Sequence, residues 1–106
     1  RVVCGEVHAA DMNELREIGD MLKTRDDVDA VLIGAVHDGK VSLLATAGAV
    51  ATAAGVHAGQ VVKAAAAACG GGGGGRPDMA QAGGKDPSRL ADALAAGLAA
   101  VKTAVS

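Results

Sequence analysis

Residues 29–47 have the sequence DAVLIGAVHDGKVSLLATA, in which two apolar runs flank a short polar turn. The first run spans residues 29–36 and the second spans residues 41–47. Asp38 and Gly39 lie between them, and a tight hairpin turn requires positive φ angles that an Asp-Gly pair adopts readily. This stretch therefore predicts a β-hairpin, around which the other elements can be placed.

Residues before the hairpin predict a strand and then a helix. Residues 1–7 are rich in β-branched side chains, which favour a strand. Asp11 is a suitable helix N-cap, and Glu14, three residues later, completes an Asp version of the capping box. The helix is expected to end near Lys23. Its apolar face follows helical spacing and consists of Met12, Leu15, Ile18 and Leu22.

Residues after the hairpin predict two more helices and one short strand. Residues 58–69 are apolar on nearly all sides, which is typical of a largely buried helix. Residues 79–82 are a candidate strand, and Asp86 and Pro87 are suited to be the cap and the first residue of a last helix. The order β-α-β-β-α-β-α predicts an α/β fold, with helices packed on a small mixed sheet, for one domain of residues 1–106.

The composition limits both the core and the function. Half of the 106 residues are hydrophobic but none is Phe, Tyr or Trp, so the core must be built from aliphatic side chains and many alanines. These bury less area, and because burial contributes roughly 25 cal/mol per Å², modest stability is expected. The net charge of −2 argues mildly against autonomous nucleic-acid binding, which usually requires a basic excess. Any such role needs a local basic patch.

Metal binding, disulfide bonding and membrane insertion are not indicated by the sequence. Cys4 and Cys69 are far apart and the three histidines are scattered, so two reduced thiols in a cytosolic protein and no zinc site are expected. The most apolar stretch, residues 43–56, is too short for a membrane span of about 20 residues. Because Arg1 already lies in the first predicted strand, the chain is expected to be a fragment of a larger protein.

Residues 70–87 have the sequence GGGGGGRPDMAQAGGKDP and carry the most information about function. Six consecutive glycines are typical of a flexible linker, although only about 30 residues follow, too few for a second core. Alternatively, uncovered backbone N–H groups can hold an anion or lie flat against a ligand, with Arg76 and Lys85 neutralising phosphates. Lys85 also precedes a predicted helix N-terminus, where the helix dipole favours anions. The residues alone favour neither alternative, and Walker and dinucleotide-binding motifs are absent.

The same stretch resembles the signature of the C-terminal globular domain of alanyl-tRNA synthetases, and residues 57–63, HAGQVVK, are similar to the family's other recurrent stretch. The same domain type is attached to Asp-His-His phosphoesterases, where a related glycine motif carries a His. Arg76 in this position favours the synthetase branch. The resemblance covers the whole chain. It implies a non-catalytic module that contacts the outer corner of tRNA, where the D and T loops meet, and helps to couple aminoacylation to editing.

The resemblance also implies the partners and the site. The partners are alanine-specific tRNA, through its elbow, and the remainder of the synthetase chain in the cytoplasm, with an oligomer possible for the full-length protein. No catalytic residue, metal, cofactor or membrane contact is expected in this domain. The predicted tRNA-binding residues are His57, Lys63, Gly72, Gly73, Gly74, Gly75, Arg76, Gln81, Gly83, Gly84 and Lys85.

Most of these candidates also have a purely structural interpretation. Arg76 and Lys85 are the strongest candidates for phosphate contacts, but the same residues can form a solvated basic pair. His57 is equally suited to cap the following helix, and Lys63 to extend its stem over apolar surface. Asp78 is expected to organise the glycine loop rather than to contact a base. Because no aromatic side chain can stack on bases, recognition is expected to depend on folded shape, phosphates and 2′-hydroxyls.

Two other functions remain open from the sequence. The first is the substrate-binding lobe of an Asp-His-His phosphoesterase acting on short nucleic acids, whose metal centre would lie upstream in the parent chain. The second is a dimerisation or protein-interaction module, which the nearly all-apolar helix of residues 58–69 and the acidic net charge support. The parent protein implied by the resemblance is a ligase, but the aminoacylation and editing motifs are absent from this chain.

Overall fold

A computed structural model describes residues 2–25 and 28–105, and of residues 104 and 105 the backbone only. Within these residues five strands form one mixed sheet, and four α-helices pack on its two sides. The α/β fold with a small mixed sheet that the sequence predicts is therefore confirmed. In the described part of the chain, no helix is long and apolar enough to cross a membrane.

The predicted hairpin lies at the centre of the sheet. β2 (Ala30–His37) and β3 (Lys40–Ala47) pair antiparallel along their whole length. The turn residues Asp38 and Gly39 have φ angles of 50° and 72°, as a two-residue turn of type I′ requires. The Asp-Gly signal in the sequence thus predicts both the turn and the register of the two central strands.

Three further strands complete the sheet in the order β1-β2-β3-β5-β4. β1 (Val2–Glu6) pairs parallel with β2. β5 (Met79–Gly84) pairs antiparallel with β3, and β4 (Gly72–Gly75) pairs antiparallel with β5. The six-glycine run therefore supplies one edge of the sheet. Arg1, at which the first predicted strand begins, lies outside the described residues.

The helices are distributed unequally over the two sides of the sheet. α1 (Met12–Lys23) packs on β2 and β3 from one side. α2 (Ala49–Ala53), α3 (Ala58–Ala68) and α4 (Leu90–Val105) contribute to the core on the other side. A 3₁₀ turn, Pro87–Arg89, leads into α4. Because α1 is the only described helix on its side, β4 and β5 extend beyond it without a covering helix.

Two aliphatic clusters form the core, one on each side of the hairpin. On the side of α1, the fully buried side chains include Leu15, Ile33 and Leu44. On the side of α3 and α4, they include Leu32, Leu43, Val62 and Ala65. Successive residues of β2 and β3 thus alternate between the two clusters, as the period of a strand requires.

The nearly all-apolar helix that the sequence predicts is α3, and most of its apolar side chains are buried within its own fold. Its buried residues are Ala58, Gly59, Val61, Val62, Ala65 and Ala66. Lys63 lies on the exposed side of the helix. Packing within the chain explains the composition of α3, so this helix no longer supports a dimerisation module.

Two elements of the structure are absent from the predicted order. α2 is only five residues long, and its N-cap Gly48 makes no side-chain hydrogen bond, so no capping signal marks it in the sequence. β4 consists entirely of glycine, a residue that is depleted in strands. The last helix, which the sequence predicts to begin at Pro87, begins at Leu90 after the 3₁₀ turn.

Both cysteines carry free thiols, as the sequence predicts. Cys4 is half-buried in β1, whereas Cys69 is fully buried directly after α3. Burial raises the pKa of both thiols, which leaves them neutral at pH 7. The Sγ atom of Cys69 lies 3.5 Å from the carbonyl oxygen of Ala66. Both cysteines contribute to the core cluster on the side of α3 and α4.

The capping interaction of α1 gives a first testable prediction. The Oδ1 atom of Asp11 accepts a hydrogen bond from the backbone N–H of Glu14 at 2.9 Å. Asp11→Ala removes this acceptor and is expected to lower the free energy of unfolding by about 1 kcal/mol. Urea unfolding followed by circular dichroism measures the change. Asp20→Ala is the control, because Asp20 is exposed within α1. This substitution removes the same charge without removing a cap. Equal losses in the two variants would contradict the prediction.

Candidate nucleic-acid interface

The six glycines form a helix cap and a strand, so the alternative of a flexible linker is wrong. Gly70 has a φ of 71° and follows the end of α3. The N–H of Gly71 then donates to the carbonyl oxygen of Ala66 at 2.9 Å, which is the long-range bond of a Schellman cap. Gly72 to Gly75 continue as β4, paired with β5.

Three of these glycines are required because β4 and β5 approach each other closely. A Cβ atom at Gly71 would overlap the carbonyl oxygen of Gly83. A Cβ atom at Gly73 would lie 2.6 Å from the Cα of Ala82, and one at Gly75 would lie 2.9 Å from the Cα of Ala80. The obstructing atoms belong to the backbone, so they cannot move aside as the end of a flexible side chain can.

Gly72 and Gly74, by contrast, have no structural reason to lack a side chain. A Cβ atom at either position would meet no other atom within 4 Å. Their φ angles are also outside the left-handed region, which among the described glycines is occupied by Gly39, Gly55 and Gly70. The fold would therefore accept larger residues at 72 and 74.

These two glycines form part of a bare surface, which we term the glycine face: Gly72, Gly74, Gln81 and Gly83. Gly72 is paired with Gly83, and Gly74 is paired with Gln81. All four residues are exposed, whereas Ala80 and Ala82, which alternate with them on β5, are buried in the cluster beneath α3. The glycine face is thus flat backbone, from which Gln81 projects the one side chain longer than hydrogen.

Arg76 lies at one end of the glycine face, in the turn between β4 and β5. Its backbone N–H donates to the carbonyl oxygen of Met79 at 3.0 Å. Its Nε atom is 3.6 Å from the Oδ1 atom of Asp78, and both side chains are exposed. The backbone carbonyl of Asp78 also accepts a bond from Ala47 at 2.9 Å. The Asp78 carboxylate thus pairs with Arg76, and the Asp78 backbone carbonyl extends the pairing of β5 with β3.

Lys85 lies at the opposite end of the face. Six residue steps of about 3.3 Å separate it from Met79, the residue bonded to Arg76, which gives a distance of about 20 Å along β5. The two cations therefore flank the glycine face and do not form one phosphate site. The sequence also predicts an anion site at the N-terminus of the following helix. There the carboxylate of Asp86 already occupies the position of an anion, because it accepts a hydrogen bond from the N–H of Ser88 at 3.1 Å.

The remaining predicted residues lie away from the glycine face. His57 is the N-cap of α3, and its Nδ1 atom accepts a hydrogen bond from the backbone of Gln60 at 3.2 Å. Lys63 points away from the sheet on the exposed side of α3. Gly84 is buried, and a Cβ atom there would overlap the Sγ of Cys69. His57 thus has the capping role that the sequence also allows, and Gly84 has a packing role.

Comparison with known proteins identifies the family. Residues 1–103 match the family model described as the DHHA1 domain. The chain belongs to the DHHA1 domain family. This DHHA1 domain is 49% identical over 94 residues to the alanine–tRNA ligase of Desulforudis audaxviator and 50% identical over 93 residues to that of Oceanobacillus iheyensis. The matches cover 89% and 88% of the chain but only 11% of each ligase, so the chain spans a small part of the length of these relatives.

A solved structure gives the same assignment. The DHHA1 domain is similar to the C-Ala domain from Aquifex aeolicus alanyl-tRNA synthetase, with a TM-score of 0.81 and 28% sequence identity. The match covers 99% of this chain and 91% of that one. The resemblance to the synthetase C-terminal domain that residues 70–87 indicate is therefore confirmed.

Within residues 2–25 and 28–105, no group of three or more His, Cys, Asp or Glu is placed to hold a metal ion.

An open groove of about 430 Å³ adjoins the Lys85 end of the glycine face in this DHHA1 domain. We term it the lysine groove, and the residues that define it are His37, Lys40, Ser42, Gly72, Gly83 and Lys85. His37, Lys40 and Ser42 belong to the central hairpin and are not among the tRNA-binding residues that the sequence predicts. The pairing of β3 with β5 brings them beside the glycines, and no local sequence signal predicts that pairing.

Proposed function

We propose that this DHHA1 domain docks the elbow of tRNA, where the D and T loops meet, on its glycine face. In the full-length alanyl-tRNA synthetase this contact helps to couple aminoacylation to editing. The domain acts by positioning RNA and contributes no catalytic group. The family assignment supports the synthetase context, and the bare surface of Gly72 and Gly74 supports the site.

The observation that carries the proposal is the lack of side chains at Gly72 and Gly74. Glycine within a strand is destabilising by roughly 0.5–1 kcal/mol relative to alanine. At these two positions the fold offers no compensation, because a Cβ atom would enter open space. Glycine in a strand often marks a site where a ligand approaches the backbone closely. A flat ligand that rests on the glycine face provides such a reason.

The chemistry around the face fits folded RNA better than a single strand. The chain has no Phe, Tyr or Trp, so unpaired bases have no aromatic side chain on which to stack. The flat backbone can instead accept an exposed base pair, with the Gln81 amide able to donate to, or accept from, a ribose or a base edge. Arg76 and Lys85 lie at the two ends, where they can meet backbone phosphates. This combination recognises shape rather than sequence.

The affinity of the domain alone is expected to be low. Its net charge is −2, and few cations are available for phosphate contacts. In the full-length protein the domain is covalently tethered to the rest of the synthetase, which binds the same tRNA in the cytoplasm. Tethering raises the effective concentration, so a weak elbow contact can still influence where the tRNA is held.

A titration with three RNAs tests the proposal. The RNAs are intact alanine tRNA, the same tRNA with its elbow pairing disrupted, and a minimal acceptor hairpin. The RNA must carry the fluorescent label, because the protein has no Trp or Tyr. Tighter binding to the intact tRNA than to the other two is the expected result. Equal affinity for all three RNAs would overturn the proposal.

Arg76 provides a second prediction for the same assay. Arg76→Ala removes one phosphate contact, so tRNA binding is expected to weaken and the salt dependence of log K to flatten by about one charge. Lys102→Ala is the matched control, because Lys102 is exposed on α4, on the opposite side of the sheet. The same change in slope for both variants would remove Arg76 from the interface.

A further inference from the structure

We propose that the lysine groove is a specific site for one phosphodiester group of a nucleic-acid backbone. The groove lies at the end of the glycine face farthest from Arg76. Its assignment to the docked tRNA rests on the proposed function, whereas its preference for a phosphodiester rests on its own chemistry. That chemistry is carried by His37, Lys40, Ser42 and Lys85 above a glycine floor.

The floor of the groove is continuous with the glycine face. Ser42 of β3 is paired with Gly83 of β5, and Gly83 is paired with Gly72 of β4. These three residues form one row across the sheet on the side of α1, in which Gly72 and Gly83 are exposed and Ser42 is 8% exposed. Two of the three have no side chain, so a bulky tetrahedral group can approach the backbone closely at this point. Ser42 supplies a hydroxyl at the end of the row.

The two lysines converge on this row from different strands. Val41 is paired with Gly84, and Lys40 and Lys85 each stand one residue beyond that pair. Strand alternation places Lys40 on the same side of the sheet as Ser42. Lys85 directly follows β5, and both lysines line the groove together with Ser42 and Gly83. The lysines are therefore neighbours at this end of the glycine face. Like charges in such positions are destabilising unless an anion lies between them.

No acidic side chain offsets the two lysines within the groove. Its lining contains no Asp or Glu. Among the described residues, neither Lys40 nor Lys85 forms an ion pair. Asp38 and Asp86 flank the lysines in sequence, but the Asp86 carboxylate is hydrogen-bonded to the N–H and hydroxyl of Ser88. In a chain with a net charge of −2, this is a local cationic site.

His37 and Ser42 add hydrogen-bonding groups to the charge. The Nε2 atom of His37 is 2.9 Å from the Oγ atom of Ser42. His37 is also the register partner of Lys40 across the hairpin turn, so the imidazole and the ammonium lie on the same edge of the groove. When the Nε2–H of His37 donates to the Ser42 oxygen, the Ser42 O–H and the two ammonium groups remain as donors for the acceptor oxygens of one phosphodiester.

The position of the groove predicts how RNA lies on the domain. Lys85, at the far end of the groove, is about 20 Å along β5 from Met79, the residue bonded to Arg76. A base pair resting on the glycine face between them carries a sugar–phosphate strand on each of its two sides. One strand then meets the lysine groove and the other meets Arg76. The groove thereby orients the RNA, which the flat face alone does not do.

The first test uses the chain itself with a minimal phosphodiester. The ribodinucleotide CpC is titrated into ¹⁵N-labelled protein, and cytidine, which lacks the phosphodiester, serves as the ligand control. CpC is expected to shift the backbone amide signals of Gly72, Gly83 and Lys85, and cytidine is not. Lys40→Ala combined with Lys85→Ala should abolish these shifts, while Lys102→Ala should retain them. Shifts that survive the double substitution, or equal shifts with cytidine, would overturn the inference.

The second test uses tRNA and separates this inference from the proposed function. The double lysine variant is expected to bind intact tRNA at least tenfold more weakly and to flatten its salt slope by about one charge, because the groove neutralises one phosphate. An unchanged slope overturns the inference even when the preference for an intact elbow holds. Conversely, CpC shifts at the groove without any elbow preference support the inference and overturn the proposed function. Thermal unfolding of each variant shows that the fold is retained.

Discussion

Gly74→Leu is expected to remove tRNA docking while leaving the protein folded. The leucine side chain would project from the glycine face into open space, since no atom lies within 4 Å of a Cβ at this position. It would hold a flat ligand away from the backbone, and at least a tenfold loss of affinity, about 1.4 kcal/mol, is expected. The free energy of unfolding should stay constant or rise by about 0.4–1 kcal/mol, because replacing glycine restricts the unfolded chain.

The neighbouring glycine is the matched control for this prediction. Gly73→Ala adds a much smaller side chain, but its Cβ would lie 2.6 Å from the Cα of Ala82 and 2.7 Å from the carbonyl oxygen of Gln81. Overpacking of this kind costs about 1–3 kcal/mol, so the smaller substitution should be the destabilising one. Urea unfolding and labelled-tRNA titration of both variants test the pair. A Gly74→Leu variant that binds tRNA as tightly as the unmodified chain would show that the glycine face is not the interface.

Leu43→Ala is expected to cause the largest loss of stability. Leu43 lies at the centre of the sheet and is 0% exposed. Its partners on the two adjacent strands are Gly34 and Ala82, so neither cross-strand neighbour has a large side chain that can fill the space it leaves. Truncation of a buried leucine costs about 2–5 kcal/mol, and the upper part of that range is expected here. Typical domains have only about 5–15 kcal/mol of stability in total.

The exposed residue Val50 provides the control for the core truncation. Val50 is 71% exposed on α2, so Val50→Ala removes aliphatic carbon atoms that are mostly in contact with water. Its effect on the free energy of unfolding should stay within about 0.5 kcal/mol. Urea unfolding monitored by circular dichroism suits both variants. A loss for Leu43→Ala as small as that for Val50→Ala would show that the two core clusters are loosely packed.

The elements that could be predicted from the sequence are those with local signals. Asp38-Gly39 marks the hairpin turn, Asp11 marks the start of α1, and Asp86-Pro87 marks the entry to the last helix within a few residues. Each of these signals acts through backbone geometry or a hydrogen bond within four residues. α2 and β4 carry no such signal. β4 exists because β5 offers it a partner, and that pairing depends on the folded sheet.

The same distinction applies to the candidate site. The resemblance includes Gly72, Gly74, Gln81 and Gly83 among the predicted residues, but does not separate them from the glycines that the close approach of β4 and β5 requires. That separation requires the register between β4 and β5. The groove residues of the β2–β3 hairpin lie 43 to 48 positions before Lys85 in the sequence, and a non-local strand pairing brings them together. Sequence reasoning can propose such a site only when the strand order is known.

Residues 70–85, which include β4 and β5, are hydrogen-bonded to both ends of α3, and this has a consequence for the proposed RNA binding. The N–H of Ala58, at the start of α3, donates to the carbonyl oxygen of Pro77 at 2.9 Å, and the N–H of Lys85 donates to that of Cys69, directly after α3, at 3.0 Å. A polyglycine segment that would otherwise sample many conformations is thereby pinned at its turn and at its exit. If RNA docks on the glycine face as proposed, this ordered backbone would lose little chain entropy, so little of the contact free energy would be offset. The glycine run, which has the greatest conformational freedom of any segment when unfolded, is thus held in one conformation by the fold.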